Sequence, residues 1–157
     1  MLAARELTIT LGSRPEYWTW FSVPESRFSE IAYLNAVLWL EIKVVINACM
    51  LSPRTNHAAY LVFILKTNSF GFEDAVVKSS IKIGDETTER RWMTNQGVLH
   101  SAQDPTTIRK DRWLEIELGE FFTEGREDIR IKIKQLDLHW KKGLMVEGIE
   151  IRPKDNL

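Results

Sequence analysis

The chain has 157 residues, 44% of them hydrophobic and 27% charged, with 21 Lys+Arg set against 22 Asp+Glu. That length suits one domain over residues 1–157, and the apolar share excludes a disordered chain. A formal net charge of -1 excludes a nucleic-acid binder held by overall charge, though not a local basic face.

One cysteine, Cys49, excludes an internal disulfide and a Cys-based zinc site, and no cofactor or metal is implied. Met1 to Glu6 reaches charge before a signal-peptide core can form. The longest apolar run, Ala58 to Leu65, is far short of the roughly 20 residues that span a bilayer. The expectation is a soluble, cytosolic protein with no membrane partner. Six tryptophans are many for this length and are the one compositional hint of binding.

In chain order, Leu7, Ile9 and Leu11 alternate with Thr8 and Thr10, which predicts a strand with one dry face, closed by a turn over Gly12–Pro15. Tyr17-Trp18-Thr19-Trp20-Phe21 predicts a second strand, with Trp18 and Trp20 on one face and Tyr17 and Phe21 on the other. One pair belongs to the core; the other is free to sit at the rim, where an indole suits the C–H face of a sugar ring. Phe28, Ile31 and Ala32 have helical spacing, so a helical turn or two is expected within Pro24–Leu34. Leu38, Leu40, Ile42, Val44 and Ile46 form a long buried stripe with Trp39, Glu41 and Lys43 opposite. Cys49 follows that strand with no base beside it, and a buried or inert thiol is expected.

Ala58 to Leu65, apolar on both faces, predicts a central strand. Gly84 to Thr107 is polar and without period, and reads as a long loop with one short strand near Trp92. Leu114, Ile116 and Leu118 alternate with Trp113, Glu115 and Glu117, the two carboxylates being expected on a solvated face. Ile129, Ile131 and Ile133 alternate with Arg130, Lys132 and Lys134. Leu144 and Val146 differ in parity from Ile149 and Ile151, which predicts a one-residue bulge near Gly148, and Pro153 ends the strand. Short strands with regular turns specify an all-β antiparallel sandwich or barrel with long loops and little helix.

Catalytic motifs are absent: no HExxH, no Walker loop, no GxGxxG, no GxSxG, and three isolated histidines, His57, His100 and His139. No catalytic residue is assigned and a non-enzyme is expected. Three features point to binding. One is the Trp18 and Trp20 segment. Another is the row Arg130, Lys132 and Lys134, with Lys141 and Lys142 close in sequence, which either meets phosphates, as RNA-contacting residues would, or is an ordinary solvated face. The third is the polar segment Gly84 to Thr107 with Arg90, Arg91 and Trp92, which either caps a site or simply varies.

Several segments together resemble the phloem protein 2 lectin family of plants. They are Ala4-Arg5-Glu6-Leu7-Thr8-Ile9-Thr10, Tyr17-Trp18-Thr19-Trp20, Pro24-Glu25-Ser26-Arg27-Phe28, Trp39-Leu40-Glu41-Ile42 and Tyr60-Leu61-Val62-Phe63 followed by Phe70-Gly71. The densest matches are Trp113 to Phe122, and His139-Trp140-Lys141-Lys142-Gly143-Leu144 with Glu147 to Lys154. The resemblance implies a jelly-roll-like β-sandwich that binds N-acetylglucosamine oligomers, including chitooligosaccharides and the N-glycan core, without catalysis or metal. It implies a bare lectin domain with no F-box before it, working in the cytoplasm or phloem sap. It also implies RNA or phloem filament protein as further partners, a homodimer, and Cys49 as the only candidate for an intermolecular disulfide.

Carried over residue by residue, the family's sugar site falls on Leu11, where the pattern has Trp, on Trp18 beside Trp20, on Asp128, and on Gln135, where the pattern is acidic, with Asp137 as the fallback acid. Leu11 offers no ring face and Gln135 no charge, so weaker or altered sugar binding is expected.

Overall fold

The computed structural model describes residues 1–72, 76–95, 98–100, 106–135, 137 and 139–154. In chain order the strands are β1 (Leu2–Ala3), β2 (Thr8–Ile9), β3 (Trp18–Phe21), β4 (Ile31–Leu34), β5 (Glu41–Asn47) and β6 (Thr55–Phe70). There follow β7 (Val76–Ile83), β8 (Glu86–Asn95), β9 (Val98–His100), β10 (Thr106–Ile108), β11 (Leu114–Thr123), β12 (Asp128–Gln135) and β13 (Lys142–Pro153). The helix among the described residues is two short 3-10 turns, Ala4–Glu6 and Ala48–Met50.

Every strand pair is antiparallel, and among the described residues the strands form two sheets. One runs β10-β11-β6-β13-β4-β3, with β1 also on β13; the other runs β2-β5-β12-β7-β8-β9. The all-β antiparallel sandwich expected from the alternation, and the jelly-roll-like form that the resemblance implies, is what the chain adopts. Ile42, Val44 and Ile46 of β5 and Ile129, Ile131 and Ile133 of β12 face Leu61 and Phe63 of β6, Ile116 and Leu118 of β11, and Val146 and Ile149 of β13. β6 is central because both its faces are covered. Its Val62 belongs to a second apolar cluster with Ile31, Trp113 and Met145, closed by Phe21, Val23 and Tyr33.

The bulge falls where the parity break put it: Val146 pairs with Phe63 and Gly148 with Val62, leaving Glu147 as the extra residue. Other expectations are corrected. The Pro24–Leu34 segment holds no helix; residues 24–29 are turns and bends, and Ile31–Leu34 is a strand paired with β3. The alternating stripe from Leu38 begins as a strand only at Glu41, leaving Leu38 exposed. Of the loop expected over Gly84 to Thr107, the described residues 86–95, 98–100 and 106–107 are strand, and Gly84-Asp85 is the turn of a β7–β8 hairpin in register from Ile83↔Glu86 to Val76↔Met93; positions 96–97 and 101–105 lie outside the described residues. β8 was hidden because Glu86-Thr87-Thr88-Glu89-Arg90-Arg91 has no apolar alternation, while its partner β7 supplies the buried Val77 and Ile81. Cys49 is exposed, since it lies in the 3-10 turn that leaves the sheet after β5.

Candidate functional site

At one end of the sandwich β2, β4, β6 and β12 finish, and β3, β5 and β13 begin. The connections at this end carry Leu11, Trp39, Asp137, His139 and Trp140. Leu11 follows β2 with φ +63°, a left-handed conformation that turns it off the strand and leaves it 37% exposed. It therefore does not continue the buried stripe of Leu7 and Ile9.

Trp18 begins β3 and is 1% exposed, so its ring belongs to the core and offers no stacking face; its Nε1 has no acceptor. Trp20 is half-buried. Its Nε1 donates to the Gly12 carbonyl at 2.8 Å, and the Arg5 guanidinium lies 3.8 Å over its ring, itself held by Glu30 at 2.6 Å. Tyr17 and Phe21 pack against the two apolar clusters, so neither face pair of the β3 segment is an open aromatic rim.

Gln135 ends β12 and is 2% exposed. Its amide Nε2 donates to the Gly71 carbonyl at 2.7 Å and to Asp137 Oδ1 at 3.0 Å. Asp137 Oδ1 also lies 3.4 Å from Lys141 Nζ, and its Oδ2 lies 4.0 Å from His139 Nδ1. Lys141 is fully buried: its ammonium donates to the carbonyls of Leu38 and His139 at 2.6 Å each and of Asp137 at 3.2 Å. Burial pushes this lysine below its ordinary value, and the Asp137 carboxylate works against that shift. Gln135, Asp137 and Lys141 thus wire the 38–41, 71 and 137–141 segments together.

Asp128 is not part of this cluster. It begins β12, seven residues and about 23 Å of strand from Gln135, and accepts a hydrogen bond from Asn47 at 3.3 Å at the opposite end of the sandwich. The β-period alone separates the two, because an odd spacing also puts them on opposite faces. Two functional candidates were passed over by sequence reasoning. Trp39 is 43% exposed and Trp140 is 52% exposed. The signals were present: Trp39 shares parity with the polar Glu41 and Lys43, and Trp140 sits inside a turn-rich His-Trp-Lys-Lys-Gly segment.

The basic row forms as expected. Lys132 pairs across with Lys43 and Ser80, Arg130 with Val45 and Lys82, and Lys134 with Glu41 and Lys78, so polar and charged side chains share the outer face of the second sheet. A groove of about 340 Å3 is lined there by Lys43, Lys82, Arg130 and Lys132 among others. Among the described residues its ion pairs are Lys78 with Glu89 at 3.0 Å and Lys132 with Glu41 at 3.9 Å. The first sheet's outer face is the converse. Glu115 is not solvated but buried, gripped by Arg152 through two bonds of 2.7 and 3.0 Å and by Arg109 at 3.1 Å. Glu117 is held by Lys154 at 2.6 Å and Arg90 at 2.5 Å. The Arg152 guanidinium holds the Glu115 carboxyl below the usual range against the effect of burial.

A family model described as phloem protein 2 matches residues 1–153. The chain is similar to a putative F-box protein PP2-B12 of Arabidopsis thaliana, 42% identical over 161 residues that take in 100% of this chain and 62% of the relative. It is 37% identical to F-box protein PP2-B10 of the same plant, over 98% of this chain and 59% of the relative. The chain thus spans about three fifths of the length of these curated relatives. Among solved structures, a CBM22-1 xylan-binding domain from Paenibacillus barcinonensis superposes with a TM-score of 0.50 at 10% identity, over 100% of this chain and 91% of that one. CBM35 from the same organism gives 0.50 at 13% identity, over 98% of each chain. At such identities the likeness is one of fold.

Proposed function

The chain belongs to the phloem protein 2 family, and from that membership we propose that it is a carbohydrate-binding lectin, not an enzyme, which takes N-acetylglucosamine oligomers such as chitooligosaccharides and the N-glycan core. The observation that carries this reading is that Leu11 and Asp137 lie at the same loop-built end of a β-sandwich, with Gln135 buried beneath Asp137. The fold supports it, since a xylan-binding domain has the same architecture. Binding is weak, with Kd between about micromolar and millimolar, because Leu11 supplies no ring and Gln135 is turned inward. The test is a calorimetric titration with chitotriose at low and high salt. Saturable heat that salt leaves unchanged is expected; no heat at millimolar sugar would reject the assignment of N-acetylglucosamine oligomers.

A second reading is favoured by the row of cations on the second sheet, Arg130, Lys132 and Lys134 with Lys43 and Lys82 beside them, as the contact face for RNA; among the described residues only Lys132 of these five has a carboxylate within reach, Glu41 at 3.9 Å. Its signature is affinity that falls steeply with added salt, because released counterions carry the binding. Reversing the charge of Arg130, Lys132 and Lys134 together with no loss of RNA affinity would remove it.

A further inference from the structure

We infer that the stacking surface of the sugar site is Trp39 with Trp140, two indoles on neighbouring segments pinned by the Lys141 ammonium, and that it takes a neutral β-linked pyranose chain. This rests on the lectin reading above and names the residues and ligand chemistry of that end.

Among tryptophans with described side chains, Trp18 and Trp113 are buried and Trp20 is covered by Arg5, whereas Trp39 and Trp140 stand open. Their segments are joined by the Val37–Lys141 bridge, with N–H to carbonyl bonds of 3.0 and 2.8 Å in the two directions. The anchoring goes further. The carbonyls of Leu38 and His139 belong to the peptide units that enter Trp39 and Trp140, and both bond the same Nζ at 2.6 Å. One buried ammonium therefore fixes the backbone leading into each indole.

Trp140 is held on its other side as well. Gly71, at φ +88°, lies so close that a Cβ there would come within 2.0 Å of the Trp140 carbonyl oxygen. The Trp39 ring is oriented by its own N–H, which donates to Glu41 Oε2 at 3.1 Å. Exposed indoles by themselves are ordinary on a protein surface; what sets these two apart is that the backbone entering each is fixed by one buried ammonium, which limits the disorder that binding would have to overcome.

The surroundings select the class of ligand. Glu41, which accepts the Trp39 N–H, and the exposed His139, which precedes Trp140 in the chain, supply hydrogen-bonding groups on the two segments that carry the indoles. That combination matches a pyranose, whose ring faces are C–H-rich and whose rim carries hydroxyls. The cation at the centre of the cluster, Lys141, is covered by carbonyls and is not offered to an anion.

The experiment titrates the whole chain, Trp39→Ala and Trp140→Ala with chitotriose, cellotriose and xylotriose by calorimetry. Melting temperature and sedimentation are recorded for each. The expected result is saturable binding that each substitution weakens tenfold or more at unchanged melting temperature. Chitotriose binding that survives both substitutions within twofold would overturn the indole pair and leave the lectin reading standing. Loss confined to cellotriose or xylotriose, with no chitotriose binding, would support the indole pair and reject N-acetylglucosamine oligomers. No binding of any of the three would overturn both. A dimer that the substitutions dissociate, with sugar affinity unchanged, would assign the surface to a second copy of the chain and overturn the inference.

Discussion

Glu147 is the extra residue of the β13 bulge, and the bulge places its carboxyl in a buried site where Oε1 has no partner. Burial pushes this carboxyl above the ordinary range of 4.5; a hydrogen bond with Ser26 and the charges of Arg109 and Arg27 oppose that shift, and Asp111 adds to it. A group whose folded value is raised gives stability that is complete below about 4.5 and is lost as pH rises through the folded value. Glu147→Gln keeps the shape and cannot ionise. Thermal melts between pH 4 and 8 are expected to show a variant that matches the parent in acid and melts progressively higher above it as pH rises. A gap that stays constant would mean that Glu147 does not titrate with folding. Residue-scale identity was legible here only as an acidic residue next to a parity break; its burial depends on which segment closes over the bulge.

The bulge itself is a property of the element, and the sequence announced it, because Val146 and Ile149 are both core and an odd spacing cannot put both on one face of a regular strand. The close approach of β1 just beyond the bulge was not announced. Gly148 lies against β1 so closely that a Cβ would meet the Leu2 carbonyl oxygen at 1.9 Å. Gly148→Ala must therefore push β1 off β13, at a cost of about 1–3 kcal/mol. Hydrogen exchange should show protection lost at Leu2 and kept along the β6–β13 ladder, while Ala3, whose N–H donates to Glu6 Oε2, is not a reporter; unchanged protection at Leu2 would refute the clash. The β8 strand is the complementary case. Its polar run has no period of its own, and it becomes a strand because β7 offers it a partner across a two-residue turn.

Across the whole molecule the two outer faces divide their charges differently. On the first sheet, Glu115 and Glu117 are locked among Arg109, Arg152, Lys154 and Arg90, so their role is structural. On the second, Lys43, Lys82, Arg130 and Lys134 have no carboxylate within ion-pair distance among the described residues. Glu115→Gln is expected to cost about 1–3 kcal/mol in urea unfolding, since it removes the buried charged acceptor that Arg152 and Arg109 share and leaves Glu150 and Asp111 to hold them. Lys132→Ala is expected to change stability by less than about 0.5 kcal/mol, because its neighbouring acid is distant and the site is half open to water. Equal costs at the two sites would contradict this division.

By itself the sequence determined the strands whose two faces differ in polarity, the central strand that is apolar on both, the bulge, and through its Trp- and Gly-bearing segments the family. Periodicity carries that information because a strand alternates its side chains whatever lies beyond it. It also held, unread, the separation of Asp128 from Gln135, which is a matter of strand length and parity. Only the tertiary structure decided which tryptophans remain open, for exposure is set by what packs against a ring. Trp18 is enclosed in the core between the sheets, while Trp39 and Trp140 are left outside by connections whose paths depend on Lys141 meeting carbonyls from residues about a hundred positions apart in the chain.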